Sequence, residues 1–209
     1  MKAEDSLHQI AIEVAACTKC ILHHSRKNAV PGEGPPDAEI IFIGEGPGFH
    51  ENEQGRPFVG AAGKFLDELL ASAGLKREQV FIANVVKCRP PANRDPLPDE
   101  LDACSEYLER QIQAINPRVI VTLGRYSMAR YLPNARISDV HGQAMHIKGH
   151  LIVPMYHPAA ALHQPSLKTA VERDFAQLPE IIAKSAEAPP INEQPDVEEK
   201  AEPKQLSLF

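Results

Sequence analysis

Four short apolar runs, at residues 38–43, 80–86, 118–123 and 151–155, are separated by stretches whose apolar side chains recur at helical spacing. Runs of this length fit strands buried on both faces, and strands alternating with helices build a parallel sheet covered by helices on both sides. The expected fold class is therefore α/β, a three-layer αβα arrangement around a central, mainly parallel four-stranded sheet. Ser6 is expected to cap a first helix over 7–16, with further helices over 61–73, 98–115, 124–132 and 166–184. In sheets of this kind ligands collect in the loops beyond the carboxyl ends of the strands. Here those loops are Gly44-Glu45-Gly46-Pro47-Gly48, residues 87–91, Gly124-Arg125 and His157-Pro158.

Composition bears on the partner. The chain has 209 residues and a net charge of −6, which argues against a nucleic-acid ligand when taken whole. The acid is not evenly spread. Residues 185–209 carry six acidic and two basic side chains, a net −4, which leaves −2 for residues 1–184. Residues 185–204 also hold four prolines and almost no apolar side chains, so they are expected to form a disordered linker. No apolar run approaches the roughly 18 residues of a membrane span, and the Met1-Lys2-Ala3-Glu4-Asp5 start lacks the apolar core of a signal peptide. A cytoplasmic protein without a membrane partner is expected.

The loop residues suggest chemistry. Three glycines within Gly44 to Gly48 allow close backbone approach, yet neither a P-loop ending nor a G-x-G-x-x-G spacing is present. Phe58 lies among the turn formers of Gly55-Arg56-Pro57-Phe58-Val59-Gly60, where it is either core or a platform for a flat ligand. Asn84 interrupts an apolar strand end and offers both a donor and an acceptor. His157 ends the last strand on the ligand side, placed either as a structural imidazole or as a donor to a developing anion. Cys17-Thr18-Lys19-Cys20 is a C-x-x-C pair, with Cys88 and Cys104 following singly. In a reducing compartment, cysteines at such spacing suggest a metal site, catalytic groups or core thiols rather than disulfides.

Taken in order, the Cys-x-x-Cys pair, Gly44 to Gly48, Gly55 to Gly63, Asn84-Val85-Val86-Lys87-Cys88-Arg89-Pro90-Pro91, Leu123-Gly124-Arg125 and His157-Pro158 resemble the family 4, iron-sulfur, uracil-DNA glycosylases. The resemblance runs from about Cys17 to the last helix. It implies a uracil-DNA glycosylase-like fold and a monofunctional, monomeric repair enzyme that flips uracil out of DNA and hydrolyses its N-glycosidic bond in base excision repair.

It further implies that Cys17, Cys20, Cys88 and Cys104 ligate one [4Fe-4S] cluster, with zinc as the lesser alternative. Phe58 would stack on uracil, Asn84 would read its N3-H and O4 edge, and His157 would donate to O2. The backbone of Gly44, Glu45 and Gly46 would complete the cradle, while Glu51 would crowd the 5-methyl of thymine. Glu45 is the acid that matches an Asp in the family's best-known branch, and it would position the water or stabilise the sugar cation. Arg125, Leu162 and His163 would meet DNA, Leu162 as a wedge, and Lys87, Arg89, Arg94 and Arg125 suggest a small basic face. A non-catalytic iron-sulfur nucleic-acid-binding or redox protein on the same scaffold, and a glycosylase preferring hypoxanthine or xanthine, are the alternatives.

The end of the chain reads as a separate device. Gln205, Leu206, Leu208 and Phe209 in Gln205-Leu206-Ser207-Leu208-Phe209 resemble the bacterial sliding-clamp binding peptide. The expected organisation is a glycosylase domain over 1–184, a linker over 185–204 and a clamp-binding peptide over 205–209, in a nucleoid-associated protein.

Overall fold

A computed structural model describes residues 2–187. Helix α1 (Ala3–Ala16) precedes strand β1 (Ile40–Gly44), which leads through the short α2 (Phe49–Gln54) to α3 (Ala61–Ser72) and β2 (Phe81–Asn84). Next come α4 (Pro98–Ile115), β3 (Val119–Leu123) and two single-turn helices, α5 (Arg125–Met128) and α6 (Ile137–Val140). The chain continues through β4 (Met145–Ile147), β5 (His150–Met155), α7 (Pro158–His163) and α8 (Lys168–Glu187). Among the described residues no helix is long and apolar enough to cross a membrane. The linker beyond residue 187 and Gln205, Leu206, Leu208 and Phe209 lie outside the described residues.

The sheet order is β2-β1-β3-β5-β4. β1 pairs in parallel with both β2 and β3, and β3 pairs in parallel with β5. After β2 the chain returns across β1 to reach β3, so the carboxyl ends of β1 and β3 flank a topological switch point, where open α/β sheets bind ligands.

Alternation along the strands builds the three layers. Phe42, Val121 and Val153 face the cluster completed by Leu66 and Leu69 of α3 and Phe175 of α8. Ile41, Ile43, Ile120 and Ile152 face Leu108 and Ile112 of α4. Phe42 and Phe175 stack with ring centroids 6.0 Å apart, tying α8 to the centre of the sheet. On the α4 side, α1 adds Ile10 and Val14 against Tyr107, and Arg110 holds Glu13 through both carboxylate oxygens.

The four expected parallel strands are joined by a fifth. β4 runs antiparallel to β5 at the sheet edge, through a two-residue turn in which Lys148 (φ 49°) and Gly149 (φ 78°) both take left-handed conformations. Positive φ at both positions is what a tight hairpin with the right-handed strand twist requires. Two helices also differ from expectation. Ser6 Oγ donates to the Lys2 carbonyl instead of capping, and α1 starts at Ala3. α5 stops at Met128, one turn after Gly124, and does not run on to Leu132.

Candidate active site

At the last rung of the β1–β2 ladder, Gly44 sits opposite Asn84. A Cβ on Gly44 would lie 2.4 Å from Asn84 Oδ1 and 2.7 Å from Phe58 Cζ, so glycine is what lets the amide and the ring share this space. Asn84 is buried, at 2 % exposure, and its Oδ1 has no hydrogen-bond partner among the described residues. An orphaned buried acceptor costs about 1–3 kcal/mol. Such a cost is expected to be offset by a ligand donor.

Phe58 is also buried, and its φ of 51° is uncommon for a bulky residue. The loop is held there by Glu51, which reaches back from α2. Its Oε1 accepts from the amides of Val59 and Gly60, both at 2.8 Å, and its Oε2 accepts from Gly48 N at 3.1 Å. From the other side, Gly63 permits the approach, because a Cβ there would come within 1.9 Å of the Phe58 carbonyl oxygen.

The Phe58 ring stacks on His157, with centroids 5.4 Å apart and planes 24° from parallel. His157 caps α7, its Nδ1 accepting from Ala159 N at 3.1 Å. Since Nδ1 is the acceptor, the ring proton resides on Nε2. Burial pushes the imidazolium pKa down to about 4, which keeps the ring neutral at physiological pH.

Together with Glu45, Gly46 and Glu51, these residues line a cavity of about 260 Å³. That is close to the lower bound of about 300 Å³ for small-molecule pockets, a size suited to one flat heterocycle. Glu45 is half-buried, and its carboxyl pKa is raised by burial first and then by the charge of Asp95, with Arg125 opposing. Gly44 lies in the strand floor, its carbonyl accepting from Val85 N at 3.0 Å, so the cavity wall itself is built from Glu45 and Gly46. His163 reaches the cavity; Leu162 stands beside it on α7 at 46 % exposure. Arg125 is exposed, pairs with Asp95 and lies over Tyr126, 4.8 Å from the ring centroid.

The basic face is smaller than expected. Lys87 is buried, with Nζ donating to the Asn84 carbonyl at 3.0 Å and to Gln111 Oε1 at 2.7 Å, and burial lowers its pKa to about 8. It supports the strand end instead of facing a ligand. Arg94 does line the cavity, anchored by two hydrogen bonds of 2.8 and 2.6 Å to the buried Glu100. Two features were not anticipated. Phe49 is 53 % exposed at the start of α2 with the Arg89 guanidinium over its ring, and Arg77 grips the backbone of the Phe58 loop. An aromatic directly after the glycine-rich loop was the available signal for Phe49.

The iron-sulfur expectation is corrected. Among the described residues no group of three or more His, Cys, Asp or Glu side chains is placed to hold a metal ion. Cys17, Cys20, Cys88 and Cys104 border one cavity beside α1 and α4, but its volume is about 10 Å³, comparable with one water-sized probe. Cys17, Cys88 and Cys104 accept from Lys19 N at 3.5 Å, Arg26 Nη1 at 3.2 Å and Lys87 N at 3.2 Å. Burial raises the pKa of Cys20, Cys88 and Cys104, the last to about 11. The thiols as placed do not fit a [4Fe-4S] cluster, and the zinc alternative fails on the same ground.

Residues 31–178 match the uracil DNA glycosylase superfamily. The chain is 51% identical to a type-4 uracil-DNA glycosylase of Sulfurisphaera tokodaii, over 85% of each protein. It is 47% identical to one of Archaeoglobus fulgidus, over 86% of this chain and 95% of the relative. A type-4 uracil-DNA glycosylase of Thermotoga maritima is 42% identical, over 87% of this chain and 97% of its own length.

Proposed function

We infer the function from one premise: the chain belongs to the uracil-DNA glycosylase superfamily, and within it to the type-4 enzymes. It is a uracil-DNA glycosylase, a hydrolase that removes uracil from DNA in base excision repair. The observation that most supports locating the reaction at the switch-point cavity is Asn84 Oδ1, a buried acceptor without a partner among the described residues, on the wall of a base-sized space.

In our reading the deoxyuridine is flipped out of the stack, since its glycosidic bond is out of reach within the helix. Phe58 stacks on the uracil face. Asn84 Oδ1 accepts from N3-H and its amide nitrogen donates to O4. As the N1–C1′ bond breaks, negative charge builds on the base, and the neutral His157 donates from Nε2 to O2, an interaction typically worth ~3 kcal/mol per donor. The Glu45 carboxylate orients the water whose oxygen bonds to C1′, and takes up its proton; the Glu45–Gly46 backbone completes the cradle. Glu51, fixed by three backbone amides, is unable to withdraw from the wall, which suits a role in excluding the 5-methyl of thymine. Arg125, Leu162 and His163 meet the DNA, with the exposed Leu162 as the wedge.

Residues 205–209 are proposed to bind the sliding clamp at the end of the acidic linker, holding the domain of residues 1–184 near replicating DNA. The decisive experiment incubates pure protein with oligonucleotides carrying uracil, hypoxanthine or mismatched thymine and scores abasic sites. Release from the uracil strand above the other two is expected, and no uracil release would overturn the reading.

A further inference from the structure

We propose that Arg77 is a positioning residue for base recognition, acting through Phe58 to set how the stacking ring faces the amide of Asn84. This rests on the assignment of Phe58 and Asn84 to the base pocket.

Arg77 lies outside the cavity, in the single turn before β2, with its side chain 20% exposed. All three guanidinium nitrogens are committed. Nη1 donates to the Phe58 carbonyl at 3.1 Å and to Asp67 Oδ1 at 2.9 Å. Nη2 donates to the Pro57 carbonyl at 2.5 Å and to Glu33 Oε1 at 2.8 Å, and Nε donates to the same oxygen at 3.1 Å.

Glu33 extends the grip to the sheet. Its backbone forms an antiparallel bridge with Ile82, as Glu33 N donates to the Ile82 carbonyl at 3.0 Å and Ile82 N to the Glu33 carbonyl at 2.8 Å. Ile82 stands two residues before Asn84 on β2. A continuous chain of contacts therefore runs from the strand that carries the amide, through Glu33 and Arg77, to the peptide groups that carry the ring.

The loop is bracketed from both sides. Arg77 takes the carbonyls of residues 57 and 58, while Glu51 takes the amides of residues 59 and 60. Between them Phe58 is held at φ 51°, a conformation a bulky residue leaves when the surroundings cease to over-determine it. The strained φ aims the ring at the cavity beside His157. Without the guanidinium, Phe58 relaxes toward negative φ and the stacking face turns away.

The test is a double-mutant cycle on kcat and KM with a uracil oligonucleotide, using Arg77→Ala, Phe58→Ala and the pair, with thermal stability recorded for each. Arg77→Ala is expected to raise KM about tenfold, a size appropriate to loss of one base–aromatic stack. In the Phe58→Ala background the same change is expected to leave KM unaltered, because the residue it acts through is gone. Equal effects in both backgrounds, or an unchanged KM for Arg77→Ala, overturn the proposal, since a merely structural arginine lowers stability alike in both. If Arg77→Ala does not fold, Arg77→Lys carries the same cycle: the ammonium keeps its charge beside Glu33 and Asp67 but lacks the fork that spans both carbonyls. A wild-type protein inactive on uracil DNA would sink the functional reading, and a Phe58→Ala protein with normal KM would sink the stacking role, so those failures are distinguishable from this one.

Discussion

Gly44 and Asn84 are register partners on β1 and β2, and the Cβ of any side chain on Gly44 would come within 2.4 Å of Asn84 Oδ1. The clash extends to the Phe58 ring at 2.7 Å, so the smallest substitution displaces both groups proposed to define the base pocket. Gly44→Ala is therefore expected to lose stability by the about 1–3 kcal/mol typical of overpacking and to lose uracil excision more severely than that figure alone implies. Urea denaturation and abasic-site scoring check the two effects. Normal activity would show that Asn84 does not work from this position.

Asn84→Ala makes the complementary case. Among the described residues Oδ1 is buried and unpaired, so its removal is expected to leave thermal stability unchanged or slightly raised. Activity should move the other way, with kcat/KM falling at least about tenfold as the hydrogen bonds to the base are lost. A parallel loss of stability and activity would mean that the amide is structural.

His157 should be visible as a neutral Nε2-H tautomer by nitrogen-detected NMR, because Ala159 N occupies Nδ1. Its native pKa of about 4 lies below the ordinary value of 6.5, so between those values the unfolded chain binds the extra proton. Stability is therefore lost as pH falls from about 6.5 toward 4, and is recovered as pH rises through that window. His157→Gln, which lacks this titration, should flatten the slope while reducing excision. A ring that titrates near 6.5 in the folded protein would remove the argument for a neutral donor.

The parts of this design that were legible in the sequence are those where one physical requirement dominates. β1, β2 and β3 are buried along their lengths and β5 from Leu151 to Met155, which forces continuous apolar runs. Polar residues closing such runs, Asn84 and His157, then stand out as ligand-side groups. β4 was not legible, because three residues centred on the exposed His146 leave no periodicity to read. Nor was α2, whose polar Phe49–Gln54 segment is secured by Glu51 reaching back to the Gly48 amide. Lys87 was misread for a related reason: lysine in a loop is ordinarily solvated, and only the tertiary approach of Gln111 and the Asn84 carbonyl makes burial tolerable. Cysteine spacing likewise carried no information about the amide and guanidinium donors that engage the thiols.

The role proposed for Glu45 would carry a cost in stability. Its carboxyl pKa is raised by burial and by Asp95, so the native state disfavours the anion relative to the unfolded chain. The contribution is favourable below the unfolded pKa and is lost as pH rises through the native pKa. Glu45→Gln should accordingly raise the melting temperature at neutral pH and abolish the pH-dependent loss. Excision should fall by about 10²–10⁴-fold, the usual range for a positioned acid–base group. Full activity in this variant would exclude Glu45 from water positioning.

The C-terminal peptide separates from the chemistry most cleanly by deletion. Gln205, Leu206, Leu208 and Phe209 place three large apolar side chains after a linker that is acidic and rich in proline. If they dock in a clamp, removing residues 205–209 should eliminate clamp binding, measured by surface plasmon resonance with immobilised clamp, while excision from a free oligonucleotide stays at the full-length rate. With the clamp loaded on a primed template, the full-length protein should outpace the truncated one at low enzyme concentration, because tethering raises local concentration without altering the pocket. The advantage should vanish once enzyme saturates the substrate. Equal clamp affinity of the two proteins would mean that the peptide has another partner.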